Sequence, residues 1–375
     1  MTATDLLTLR PTWMEVDLEA IQTNALKVMK HAGAKNLIAV VKANAYGHDV
    51  KAVSQALWQI GVRRFAVATI FEGITLREYL PQDDARIIML GVQPAEHADL
   101  MVNYRLEPAV GTTEWLDQAA QVIGAGRPPL RIQLAVDTGM GRMGANSEEA
   151  VSQMYQRILA DEHFELGGVF THFATADDHN QAYYDGQRER FTTWVEKAGI
   201  PRRYWHMANS GSALWHPEQI DTETIRVGSV LYGFNPGAPE LKSPVELQPA
   251  AGLYSRLGSV HELKAGESVS YGATYTAKED QWVGTLPIGY ADGYIRRLGG
   301  MKVLINGRVE HVIGRITMDQ IIVSLSQPEE VGTKVTLLGR DGDQEIKIED
   351  LAEHAGTIPH ELLTEFSSRL PRIIK

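Results

Sequence analysis

A chain of 375 residues is too long for one ordinary hydrophobic core, so two domains are expected, one of them large enough for an α/β barrel. Its 44% hydrophobic and 22% charged residues fit a folded globular protein, and a net charge of −11 without a long basic run argues against nucleic acid or an anionic membrane as partner. The lack of cysteine excludes disulfides, thiolate metal ligands and a cysteine nucleophile.

The opening MTATDLLTLRP has neither a basic start nor a long apolar core, so no signal peptide is expected. No apolar run approaches the roughly 18–20 residues of a membrane span. A cytoplasmic location is the expectation. Residues 13–30 begin with the apolar/acidic alternation WMEVDL and then take helical spacing, with Ile21, Ala25 and Val28 on one face. Apolar runs of strand length follow near 37–41, 65–68, 86–90, 107–110, 131–136, 167–171, 203–207 and 225–230, with helical stretches at 50–60, 72–80, 147–160 and 181–198. About eight strands alternating with helices predict an α/β fold, a (β/α)8 TIM-like barrel, against a competing doubly wound sheet. Beyond the loop NPGAPELKSP the texture changes to short strand-like runs with turn signals. Asn306-Gly307 reads as a hairpin turn, and a helix is placed near 349–355. The domains are read as 12–240, the barrel, and 241–375, a mostly β C-terminal domain with which residues 1–11 can pack.

A (β/α)8 barrel does its chemistry at the C-terminal ends of its strands. The first proposed strand ends at Lys42. Its apolar neighbours Val40, Val41 and Ala43 would desolvate the amine and suit it to a Schiff base or a general base. The fifth strand runs into Asp137-Thr-Gly-Met-Gly-Arg142-Met-Gly144, the sixth ends at His172, the seventh runs into Asn209-Ser210-Gly211, and the eighth carries Arg226 before Gly228 and Ser229. Serine and backbone N–H groups after the last two strands are the makings of a phosphate site. Each piece alone has a plainer reading: a solvated lysine, a structural histidine, a turn. Gly139 to Gly144 also match GxGxxG, with Asp161 and Glu162 about twenty residues on, so a dehydrogenase is the alternative from another class. The motif's mid-chain position and the long irregular stretch after it weigh against that. A non-catalytic carrier of pyridoxal phosphate (PLP) is a third reading, which the second domain opposes. His172 and His179 are seven residues apart and no HxH or HExxH occurs, so no metal is expected.

Taken together, VVKANAYGH at 40–48, VDTGMGRMG at 136–144, THFATAD at 171–177, ANS at 208–210, RVGSVLYG at 226–233, VSYGATYTA at 269–277, GYADGYIRR at 289–297 and GRITMDQ at 314–320 resemble bacterial alanine racemases, over about residues 12 to 373. The resemblance implies a PLP-dependent isomerase that interconverts L- and D-alanine and so supplies D-alanine for peptidoglycan. It also implies a head-to-tail homodimer with shared active sites. By that resemblance Lys42 holds PLP. Tyr46, Ser210, Gly228 and Ser229, with Asn209 and Tyr232 alongside, bind the cofactor around its phosphate. Arg226, supported by His172, faces the pyridine nitrogen. Arg142 and Met318 bind the substrate carboxylate, and Tyr290, Arg296 and Arg315 line the entrance. Tyr271, delivered by the other subunit, is the second catalytic base.

Racemisation takes the α-proton from one face and returns one to the other, which two bases flanking a flat cofactor do directly. In the family the lysine handles the proton of the D-isomer and the tyrosine that of the L-isomer, with nearby arginines favouring the phenolate. An arginine keeps its proton, so Arg226 would not protonate the pyridine nitrogen. The carbanionic state is then short-lived and transamination limited. The related decarboxylases of basic amino acids use a partner cysteine and an acidic group at that nitrogen, and this chain offers neither. Two positions depart from the pattern. Ala135 stands where many relatives carry a carbamylated lysine, so chloride or water near Ala135 and Arg142 is expected. Ser368 stands where several have a tyrosine, so some turnover of serine is expected.

Overall fold

The computed structural model describes residues 9–375, and its first strand, β1 (Thr12–Val16), does not open the barrel. It is hydrogen-bonded antiparallel to Ala251–Arg256 and parallel to Arg372–Ile374. The domain reading that starts the barrel at residue 12 is corrected accordingly. Local alternation identifies a strand, but its partners lie about 240 and 360 residues away, where no local pattern reaches. By their contacts the residues divide into two units. One takes the described residues up to Ala20 with Tyr46–Asp49 and Gln248–Lys375; the other takes Ile21–Ala45 and Val50–Leu247. The expectation for residues 1–11 falls outside the described residues at 1–8. Within the first unit Arg10 grips Asp292 through two bonds of 2.6 Å.

The second unit is an eight-stranded parallel barrel. Its strands are β2 (Asn36–Val40), β3 (Arg64–Val67), β4 (Arg86–Met89), β5 (Leu106–Val110), β6 (Leu130–Ala135), β7 (Phe164–Phe170), β8 (Trp205–His206) and β9 (Thr224–Val227). They pair in chain order from β2 to β8, and β9 pairs with β2, which excludes the doubly wound sheet. Just beyond β8 the Arg226 N–H donates to the Ala208 carbonyl at 2.9 Å and draws the ring nearly closed. The helices Val50–Gln59, Ile70–Tyr79, Glu148–Ala160 and Ala182–Lys197 follow the sequence reading closely. Ala98–Asn103 and Thr113–Val122 are helices that it did not place.

Barrel interiors are usually filled by Val, Ile and Leu. Here the register turns Glu107 of β5, Gln133 of β6, His206 of β8 and Arg226 of β9 inward, and all four are buried. Against them β7 carries Gly167-Gly168, with a register shift that leaves Gly167 unpaired opposite β6.

The other unit is mostly β, with a ten-stranded sheet. Lys302–Ile305 and Arg308–Ile313 form the expected hairpin, with Asn306 and Gly307 at φ +51° and +76°, as a two-residue turn of this kind requires. The helix Ile348–Ala355 lies where it was read, and Pro359–Glu365 adds a second. Among the described residues no helix is long and apolar enough to cross a membrane.

Candidate active site

At the C-terminal end of β2 the chain makes a left-handed turn at Lys42–Tyr46. Ala43, Asn44, Ala45 and Tyr46 all have φ of 52–53°. Such a conformation costs roughly 1–2 kcal/mol per residue for side chains with a Cβ, so something must hold it. Glu72 accepts the Ala43 N–H at 2.6 Å, Ala45 N–H reaches the Val41 carbonyl at 2.9 Å, and Asn44 Oδ1 accepts from Val50 N–H at 2.9 Å. The Glu72 carboxylate also takes the N–H groups of Ala68 and Thr69, at 2.7 and 3.2 Å, as half of a capping box. Glu72 was not singled out from the sequence, although the T-x-x-E spacing of Thr69 and Glu72 is the signal that marks it. Lys42 itself is half-buried. Burial lowers its pKa, Arg142 and Arg226 lower it further, and Glu72 opposes them.

Arg226 is buried beneath this rim. Its Nη1 donates to the Nδ1 and the carbonyl of His206, both at 3.0 Å, and its Nη2 to the carbonyl of Thr171 at 2.7 Å and to His172 Nδ1 at 3.2 Å. Four of the five guanidinium donors are thereby used, and among the described residues the Nε–H has no partner. Burial, then Arg142, lower this guanidinium to about 10, so it remains protonated at neutral pH. Burial first, then Arg226, Arg142 and Lys42, push His172 down to about 3. The structure thus brings Lys42, Arg142, His172 and Arg226 within electrostatic reach of one another.

On the same rim Asn209 caps the short helix Ser210–Trp215, and the Ser210 hydroxyl accepts the Gly228 N–H at 3.2 Å. Ser229 opens the next short helix, Ser229–Tyr232, and Tyr232 donates to the Val40 carbonyl at 2.9 Å. Two hydroxyls and two helix starts therefore meet in one place, an arrangement chemically suited to a phosphate. Tyr46 is buried and groups by contacts with the other unit.

Arg142 is exposed on the loop after β6. Asp137 Oδ1 accepts the N–H groups of Gly139 and Gly141 at 3.0 Å each, and Gly144 sits at φ +124°. The loop closes on itself through Asp137 N–H to the Ala145 carbonyl at 2.9 Å, and the next helix begins only at Glu148. A dinucleotide fingerprint needs its glycines to open a helix, so the dehydrogenase reading loses its structural context. Ala135 packs with Ala109 and Phe170, with Leu90 and Met143 against them.

In the other unit Tyr271 is 73% exposed on a turn whose neighbours Ser270, Gly272 and Ala273 all have positive φ. Ser270 Oγ donates to the Arg315 carbonyl at 2.5 Å and braces that turn. Tyr290 and Met318 are exposed, on two segments joined by Tyr290 N–H to the Thr317 carbonyl and Ala291 N–H to the Met318 carbonyl. Arg296, Arg315 and Ser368 are exposed as well.

Two family models, described as the N-terminal and C-terminal domains of alanine racemase, match residues 16–236 and 250–374. The chain belongs to the alanine racemase family. It is 44% identical to the alanine racemase of Limosilactobacillus fermentum, over 97% of this chain and 98% of that protein. The crystal structure of alanine racemase from E. faecalis superposes with a TM-score of 0.92 at 39% identity, covering 98% of each chain. A histidine racemase from Leuconostoc mesenteroides subsp. sake superposes equally well, at 0.92 with 35% identity and 98% of each chain. The resemblance and the barrel followed by a β domain are borne out, and the chain is an isomerase of the amino-acid racemase class.

Proposed function

We propose that this member of the family interconverts L- and D-alanine using PLP, by a two-base mechanism, and in the cytoplasm supplies D-alanine for cell-wall synthesis. The observation that carries the cofactor reading is the donor set on the barrel rim. A lysine with a lowered pKa shares its field with a buried arginine whose remaining donor is one Nε–H, close to two serine hydroxyls at helix starts. These residues fit PLP: Lys42 would hold it covalently, Ser210, Gly228, Ser229, Asn209, Tyr232 and Tyr46 its phosphate end, and Arg226 its ring nitrogen. When bound, the cofactor supplies the electron sink that makes the α-proton of the substrate removable.

The rest is done by the chain's own residues. Lys42 Nζ, its pKa lowered by burial and by Arg142, takes or returns the proton on one face. Tyr271 Oη of a second copy does so on the opposite face. Arg142 and Met318 orient the substrate carboxylate, and Tyr290 narrows the approach. Arg226 stays charged and donates a hydrogen bond without giving up its proton. His172 holds Arg226 by accepting at Nδ1. The proposed assembly is a homodimer with shared active sites. A chloride or water near Ala135 and Arg142 is proposed in place of a carbamate.

The substrate is proposed as alanine, with serine as a side substrate because Ser368 is small. The purified protein should show the visible absorption of lysine-bound PLP, and Lys42→Ala should lose it. L-alanine should then yield D-alanine with the wild type only, and L-serine and L-histidine are measured alongside. A protein that stays colourless with added PLP, or leaves L-alanine unchanged, contradicts the reading. Faster turnover of histidine than of alanine would reassign the substrate.

A further inference from the structure

Arg226 forms no ion pair among the described residues, yet it is buried, so its hydrogen bonds must hold it in place. Those bonds lead to a carboxylate further down the barrel. Arg226 can only donate, so His206 Nδ1 must accept from it, and the ring's one proton sits on Nε2. That Nε2–H faces Gln133 Oε1 at 2.8 Å, which turns the Gln133 amide nitrogen toward Glu107 Oε2 at 2.5 Å. Glu107 in turn is gripped by Arg86 through bonds of 2.7 and 2.6 Å. Every link fixes the direction of the next, and all donate away from Arg226 toward the carboxylate.

The backbone beside this chain is shaped to admit it. A Cβ on Gly168 would lie 2.4 Å from Gln133 Oε1 and 3.0 Å from His206 Nε2. A Cβ on Gly167 would lie 2.9 Å from Gln133 Nε2 and 3.0 Å from Glu107 Oε2. Two adjacent glycines weaken a strand interior and are expected there only where something approaches closely. Burial and three arginines keep His206 neutral, which the direction of the chain requires.

We propose that Glu107, anchored by Arg86, orients Arg226 through Gln133 and His206, and that these are positioning residues for racemisation. A carboxylate at the far end polarises each bond, strengthens the acceptor at His206 Nδ1 and fixes the guanidinium with its Nε–H toward the site. The inference rests on the assignment of Arg226 to the cofactor's ring nitrogen.

The first readout needs no cofactor. In apoenzyme with ¹⁵N-labelled histidine, the His206 Hε2 proton should appear as a downfield, slowly exchanging signal, identified by its loss in His206→Asn. Gln133→Met and Gly168→Ala should remove or shift it, while Leu134→Met, next along β6, should leave it in place. Glu107→Gln keeps the shape of the chain without its charge and should move the same signal upfield, which covers the case of a Gln133 variant that does not fold. In the loaded enzyme Gln133→Met should lower kcat about tenfold with KM within about twofold, and raise the pyruvate formed per turnover by transamination. An unchanged signal in Gln133→Met overturns the relay. A lost signal with unchanged kcat and product partition overturns its positioning role. A wild type that shows the signal but does not bind PLP or racemise alanine refutes the assigned function and leaves the relay standing.

Discussion

Arg226 makes two histidines behave as fixed acceptors. His172 and His206 each present Nδ1 to the same guanidinium, and burial lowers both pKa values, His172 to about 3. The unfolded chain binds a proton at each of these rings near pH 6.5, whereas the folded protein refuses one until far lower. The unfolded state therefore holds more protons in that window, and stability falls as the pH drops from about 6.5 toward 3. Urea midpoints should decline between pH 7.5 and 5.5, and His172→Asn, a neutral acceptor, should reduce the slope. An identical slope in the variant would contradict this account of the pair. Sequence alone marked Arg226 and His172 because they stand at strand ends. His206, Gln133 and Glu107 went unmarked because each sits inside an apolar run, where a single polar residue looks like noise until the barrel register stacks them.

At the scale of elements, the turn after β2 is the feature least visible in the chain. Ala, Asn, Ala and Tyr have no preference for four successive left-handed residues, and the turn exists because Glu72, from the next βα unit, holds it. Glu72→Gln leaves one acceptor oxygen for the three N–H groups now shared by two. It should cost about 1–2 kcal/mol in chemical denaturation and loosen Lys42. The loop carrying Arg142 depends in the same way on Gly144, where a Cβ would come within 2.6 Å of Asp137 N at φ +124°. Gly144→Ala should destabilise by about 2 kcal/mol or more and raise KM for alanine as Arg142 shifts. A variant as stable as the wild type with unchanged KM would sever that loop from substrate binding. The barrel strands were legible because each is a short apolar run between turns. The helices Ala98–Asn103 and Pro359–Glu365 were not, being too short to show a helical period.

At the scale of the molecule, the two-part plan showed in the change of texture near residue 240, but the role of the N-terminus did not. β1 joins the sheet of the C-terminal part, a pairing of the chain's two ends that no local pattern encodes. The proposed bases fall on different units, Lys42 on the barrel and Tyr271 on the β unit. The account's central claim is that each site draws these two from different copies of the chain. The most direct measurement mixes two inactive homodimers, Lys42→Ala and Tyr271→Phe, after dissociation and reassociation. Each mixed dimer then holds one site with both native bases and one with neither. Statistical exchange should restore about a quarter of wild-type activity, proportional to the mixed dimer measured by native mass spectrometry. Mixed dimers that form and remain inactive would contradict the claim.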